Sequence, residues 1–199
     1  MRIPGLLLLL ISFQAFAQLP PDPGKLVADP GFCTSQTASL MESEFGLKPI
    51  CESTNEIEIR FWAVGLPVYD IHLTILAYHK TTGWNAVKYF MRLGSIRYDS
   101  SQKIPVTITP LSAFNRFDSL FENLKSQGIF TLPDMDELNI KNYILDGTNY
   151  SVAFKAGDQY RRYTFNNPGA LQKRNKKIME LRNFSAIADL FYSSFTETK

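Results

Sequence analysis

Few side chains in this 199-residue chain are of a type that does chemistry: two cysteines, Cys33 and Cys51, two histidines, His72 and His79, and 19 carboxylates spread along the chain. Asp118 and Glu122 stand one helical turn apart, and Asp134, Asp136 and Glu137 follow in a loop after Gly128. Paired carboxylates suit general acid–base catalysis when their surroundings push their pKa values apart. A hydrolase of this kind needs two of Asp118, Glu122, Asp134, Asp136 and Asp146 in one cleft. On a solvated face the same residues need no chemical explanation. The loop carboxylates lack the spacing and glycine of a calcium hand. Asp146-Gly147 reads as a turn, because glycine supplies the positive φ that tight turns demand. The serine-hydrolase, zinc-protease, phosphate-loop and dinucleotide patterns do not occur. No catalytic residue, metal ligand or cofactor site is assigned.

The histidines are seven residues apart in one strand-like run, which puts them on opposite faces and denies them a shared metal. The cysteines can form a disulfide, hold a metal or act as a nucleophile, and the compartment weighs among these. Arg2, the apolar stretch Leu6 to Phe13 and the small residues Ala15 and Ala17 have the three-part layout of a secretory signal peptide, with the cut between Ala17 and Gln18. That apolar stretch is too short to cross a bilayer, and the richest later region, Phe61 to Tyr78, is broken by Gly65, Pro67, Asp70 and His72. The expectation is an exported protein, periplasmic or secreted, with no membrane span once the signal is removed. An oxidising compartment favours a Cys33–Cys51 disulfide. Closing that eighteen-residue separation stabilises by about 3 kcal/mol in the chain-entropy account.

A basic and aromatic surface is the other candidate site. Arg161 and Arg162 sit among Tyr160, Tyr163 and Phe165, and Lys173, Arg174, Lys176 and Lys177 follow at the start of a helix. Gathered together, they would meet an envelope or extracellular partner, either a protein or an anionic glycan. A net charge of +2, with 21 basic against 19 acidic residues, argues against a dedicated nucleic-acid binder. Asn149 and Asn183 head N-x-S patterns, meaningful as glycosylation sites only in a eukaryotic host.

The elements that would position these residues are legible from periodicity. Residues 18–30 carry four prolines and read as an extended N-terminal segment, and 31–199 as a single α+β domain. A short helix is expected over Thr37 to Leu47. From Glu56 apolar residues alternate with Glu58, Arg60 and Trp62, the pattern of a strand with one buried face. A second strand runs Ile71 to His79, a third Trp84 to Leu93, and a fourth Ile104 to Thr109, where Pro105 suggests an edge. Pro110 fits the first turn of a helix capped by Thr109, with Phe114, Phe117, Leu120, Phe121 and Leu124 as its apolar face and Gly128 as its end. A short strand is expected at Tyr143 to Leu145, then a hairpin of Tyr150 to Lys155 with Gln159 to Phe165. Asn167 and Pro168 open a last helix that bends near Asn183. The sum is a single antiparallel sheet of about five to seven strands, packed on one face against two or three helices.

The motifs Gly128-Ile-Phe-Thr-Leu-Pro133-Asp134, Asp146-Gly-Thr-Asn-Tyr150 and Tyr160-Arg-Arg-Tyr-Thr-Phe-Asn-Asn-Pro168 resemble those of a group of small exported bacterial proteins. In that group a helix leads into a Leu-Pro-Asp loop and an Asp-Gly hairpin, and an Asn-Pro pair opens the last helix. The similarity covers the last 90 residues or so and implies the fold and the exported location, with no activity attached. The expectation for function is an exported, non-enzymatic binding or envelope-accessory module. The alternative is a small exported hydrolase using paired carboxylates.

Overall fold

A computed structural model describes residues 20–29, 42–65, 70–92, 104–140 and 147–198. Its seven strands are β1 (Ile57–Gly65), β2 (Asp70–His79), β3 (Gly83–Arg92), β4 (Val106–Ala113), β5 (Thr148–Ala156), β6 (Gln159–Asn166) and β7 (Phe195–Glu197). They form one sheet in the order β6-β5-β1-β2-β3-β4-β7, every neighbouring pair antiparallel. Among the described residues the helices of seven residues or more are α1 (Phe117–Ser126), α2 (Pro168–Arg174) and α3 (Met179–Ser193). The architecture is α+β. None of the helices among the described residues is long and apolar enough to cross a membrane.

The period of two in β1 sorts its side chains onto two faces. Ile57, Ile59, Phe61 and Ala63 join one buried cluster with Phe154 and Phe165 of the neighbouring strands, Phe121 and Leu124 of α1, and Phe184 and Phe191 of α3. Phe61 stacks on Phe191 with ring centroids 4.5 Å apart, and Phe165 on Phe184 at 4.2 Å. Along α1 the three- and four-residue spacing buries Leu120, Phe121 and Leu124. Gly128 then turns the chain at φ +77°, and Ile129 donates back to the Leu124 carbonyl.

The alternation in β1 predicts a solvent-facing side opposite this cluster, but that side is covered. All of Ile57 to Ala63 is buried, Glu58, Arg60 and Trp62 included. Phe45 packs there on Trp62, Leu73, Ile75 and Met91, and Ile50 on Ala153. Alternation signals two environments; here the second is charged and covered, which looks the same in sequence as charged and wet.

Three further expectations change. Pro110 lies inside β4 opposite Val87, and α1 starts only at Phe117, leaving Phe114 73% exposed. The Pro110 carbonyl accepts from the Thr198 amide, so its missing N–H faces the short β7 side and the ladder to β3 loses nothing. The last helix is two helices, broken at Asn175 to Ile178 rather than near Asn183. The Asn175 side chain donates to the Leu171 carbonyl at 3.0 Å and ends α2. Asn167 stands at the start of α2, with Pro168 next, but its side chain makes no capping bond. It accepts from the Thr148 amide at 2.9 Å and ties the hairpin instead. A Cβ on Gly147, at φ +127°, would lie 2.0 Å from that Asn167 oxygen, so only glycine fits. Of the helix expected over 37–47, residues 42–44 are helical and 37–41 lie outside the described residues, as does the strand expected at 143–145.

Candidate functional site

Strand register builds a cavity of about 120 Å³ on the helix-bearing face. Phe61 of β1 stands opposite Thr74 of β2, and Thr74 opposite Lys88 of β3. One pleat along, Ala63 faces His72 and His72 faces Phe90. His72 and Lys88 are therefore diagonal neighbours on one face, about 7–8 Å apart at the backbone. Phe191 and Tyr192 of α3 and Phe195 and Glu197 of β7 close the space from the other side. Beyond Ser193 the chain pairs as β7 with Leu111 to Ala113, which carries Phe195 and Glu197 there.

The charges are distributed unevenly. Lys88 is half-buried and has no hydrogen bond or ion pair among the described residues. The His72 ring lies against Phe90, centroids 4.8 Å apart, and makes no hydrogen bond among them either. Burial, and then the Lys88 cation, lower the His72 pKa, so the imidazole is neutral at neutral pH. At the strand end Arg92 grips Asp70 through two bonds of 2.9 and 3.1 Å. That contact holds the Asp70 carboxyl below its ordinary value and neutralises the pair. Burial and a hydrogen bond with Tyr150 raise the Tyr192 phenol, which keeps its proton. Glu197 is exposed at the rim. The arrangement offers a lone ammonium, a neutral imidazole and the Thr74 hydroxyl to anything resting among the aromatic rings.

The other face holds a denser polar cluster with a different character. Arg60 donates to Glu42 at 2.6 Å, to Glu58 at 2.6 and 2.7 Å, and to the Lys48 carbonyl at 2.9 Å. Asn55 at 2.7 Å and the Ser53 hydroxyl complete Glu58, and the Ile50 amide reaches Glu42. A groove of about 300 Å³ runs over these residues. Burial raises the Glu42 pKa against the pull of Arg60. No buried side-chain polar atom among the described residues lacks a partner. The cluster fastens residues 42–55 to the sheet and has little valence left for a ligand.

The residues singled out from sequence are dispersed. Asp118 accepts from Trp84 at 2.9 Å beside β3, whereas Asp134 accepts from the Thr164 amide on β6. Four strand spacings, about 19 Å of sheet, separate those anchor points. Glu122 pairs with Lys125 on the surface. Asp134 and Glu137 form a reciprocal capping box around Met135 to Glu137, and Asp136 is exposed. Arg161 is buried on the helix-bearing face and meets Glu137 at 3.3 Å. Arg162, next along β6, points to the other face and donates to Ser151 at 2.8 Å. Of the six basic residues expected to form one patch, only Lys173, Arg174, Lys176 and Lys177 are exposed, around the α2–α3 junction. His79 lies at the far end of β2 against Thr81. No group of three potential metal ligands occurs among the described residues. Cys51 is not a free thiol. Cys33, Ala17, Gln18 and Asp146 lie outside the described residues.

Sequence reasoning passed over Thr74, Lys88, Tyr192 and Glu197. The available signal was parity: polar residues at 72, 74 and 88 interrupt the face on which Leu76, Tyr78 and Ala86 are core. The sequence matches no protein-family model and no curated protein.

Proposed function

We propose that the chain is an exported, non-enzymatic binding module whose ligand seat is the cavity between β2, β3 and the C-terminal end of α3. In this reading the sheet packs against α1 to α3 on one face, and the cavity is where that cover is incomplete. The observation that carries it is Lys88, a half-buried cation with no partner among the described residues, set beside a neutral His72 and aromatic walls. Apolar pockets with a few convergent polar groups are the usual form of small-molecule sites. Of the carboxylates weighed for hydrolysis, Asp134 serves a cap, Glu122 a surface pair and Asp118 a bond from Trp84, while Asp146 lies outside the described residues. Export rests on the layout of residues 1–17 and on the resemblance to small exported bacterial proteins, and a Cys33–Cys51 bridge belongs to the same reading.

Native mass spectrometry of the protein purified from its exported fraction tests this. A small-molecule adduct is expected, present in the wild type and lost from Thr74→Phe, which fills the cavity. An adduct retained by a folded Thr74→Phe protein, or recovery of the chain only from the cytoplasm with residues 1–17 intact, overturns the reading.

A further inference from the structure

We infer that the cavity takes a small organic monocarboxylate with a benzene-sized apolar body, its carboxylate held by Lys88 and Thr74 and its body by Phe61, Phe191 and Phe195. The inference rests on the binding-module reading and gives that site its ligand class. Three observations converge on it. The first is charge: Lys88 lines the cavity at the strand position opposite Thr74, and among the described residues no carboxylate pairs with it. Arg92 and Asp70 cancel each other at the strand end and His72 is uncharged, so the charged groups lining the cavity are Lys88 and, exposed at its rim, Glu197. An anionic ligand would supply the Lys88 ammonium with the counter-ion that the described residues do not give it.

The second is volume. A cavity of about 150 Å³ lined by apolar side chains accepts benzene. The 120 Å³ here, open on one side, fits a phenyl or short branched acyl group with its polar end toward the strands. The third is the lining. Phe61 and Phe191 are stacked and buried, so the body meets a rigid aromatic surface. Aromatic walls also attract cations, but a cationic ligand would be repelled by Lys88. Glu197 stands exposed at the rim of the same cavity, on β7, with Lys88 on β3.

Isothermal titration of the chain from Gln18 with three probes tests the ligand class. Phenylacetate carries charge and body, phenethylamine the same body with opposite charge, and acetate the charge without the body. Phenylacetate is expected to bind at least tenfold tighter than either of the others. Lys88→Met should weaken phenylacetate at least tenfold, and Lys88→Arg should restore it to within about threefold, which separates charge from packing. Phenethylamine binding as tightly as phenylacetate, or phenylacetate unaffected in Lys88→Met, overturns the carboxylate. If the two aromatic probes bind equally and both are lost in Thr74→Phe, the seat stands and only the ligand class falls. If neither binds, the ligand class falls, and if the native adduct also survives Thr74→Phe, the seat falls with it.

Discussion

Arg60→Met should be among the most damaging single substitutions in the chain. Arg60 neutralises Glu42 and Glu58 across contacts of 2.6 Å, and both side chains of each pair are only 4–5% exposed. Methionine keeps much of the volume and removes the cation, leaving two carboxylates in a site built for an ion triad. Breaking a buried pair from one side costs about 3–5 kcal/mol, because the remaining charge is uncompensated. Guanidinium unfolding followed by tryptophan fluorescence reads this directly, since Trp62 is buried in the adjoining cluster. The triple variant Arg60→Met, Glu42→Gln, Glu58→Gln should recover most of the loss. The pH dependence supplies a second check. Burial already raises Glu42 above its ordinary 4.5. A carboxyl with a raised folded-state pKa contributes stability that is present below the unfolded value and lost as pH rises through the folded one. Without Arg60 that rise grows, so the deficit of Arg60→Met should shrink as pH falls from 7 toward 4.5. A loss under about 1 kcal/mol, independent of pH, would refute the triad as the fastening of residues 42–55.

Other expectations follow from single contacts. Gly147→Ala places a methyl 2.0 Å from the Asn167 side chain in backbone that L-residues avoid, and should lower stability by about 2 kcal/mol or more in the same unfolding assay. The His72 imidazole, followed by NMR, should titrate below 6.5, and Lys88→Met should move it upward by removing the neighbouring cation. Because the folded-state value is depressed, His72 costs stability as pH falls through 6.5, and wild type should lose more there than His72→Gln. Thiol titration of the denatured, unreduced chain from Gln18 should find no free thiol, and reduction should lower stability by about 3 kcal/mol. Two free thiols would refute the Cys33–Cys51 bridge.

How much of this the sequence revealed depends on which physics each residue reports. The hairpin of β5 and β6 was legible because Ala156-Gly157-Asp158 interrupts two alternating runs, and α1 because Leu120, Phe121 and Leu124 keep helical spacing. Pro110 misled because proline suits a first helical turn as well as a strand position whose N–H has no partner. The difference lies in β7, 85 residues later, which no local pattern encodes. Glu58 and Arg60 read as a wet face for the same reason: the second carboxylate on Arg60, Glu42, comes from outside the strand, eighteen residues earlier. The cavity was hardest to see. His72, Thr74 and Lys88 come together only through the β2–β3 register, and the rings above them arrive with the last helix and strand. Arg161 and Arg162 show the converse, since adjacency in sequence guaranteed opposite faces in a strand.

The central claim is that a ligand rests on the β2–β3 side of the sheet beneath the end of α3. The chemical-shift map of the isotope-labelled chain from Gln18, titrated with phenylacetate, tests it most directly. The account predicts saturable shifts concentrated at His72, Thr74, Lys88, Phe195 and Glu197, and their loss in Thr74→Phe. Shifts confined instead to the exposed cations Lys173, Arg174, Lys176 and Lys177 would contradict it.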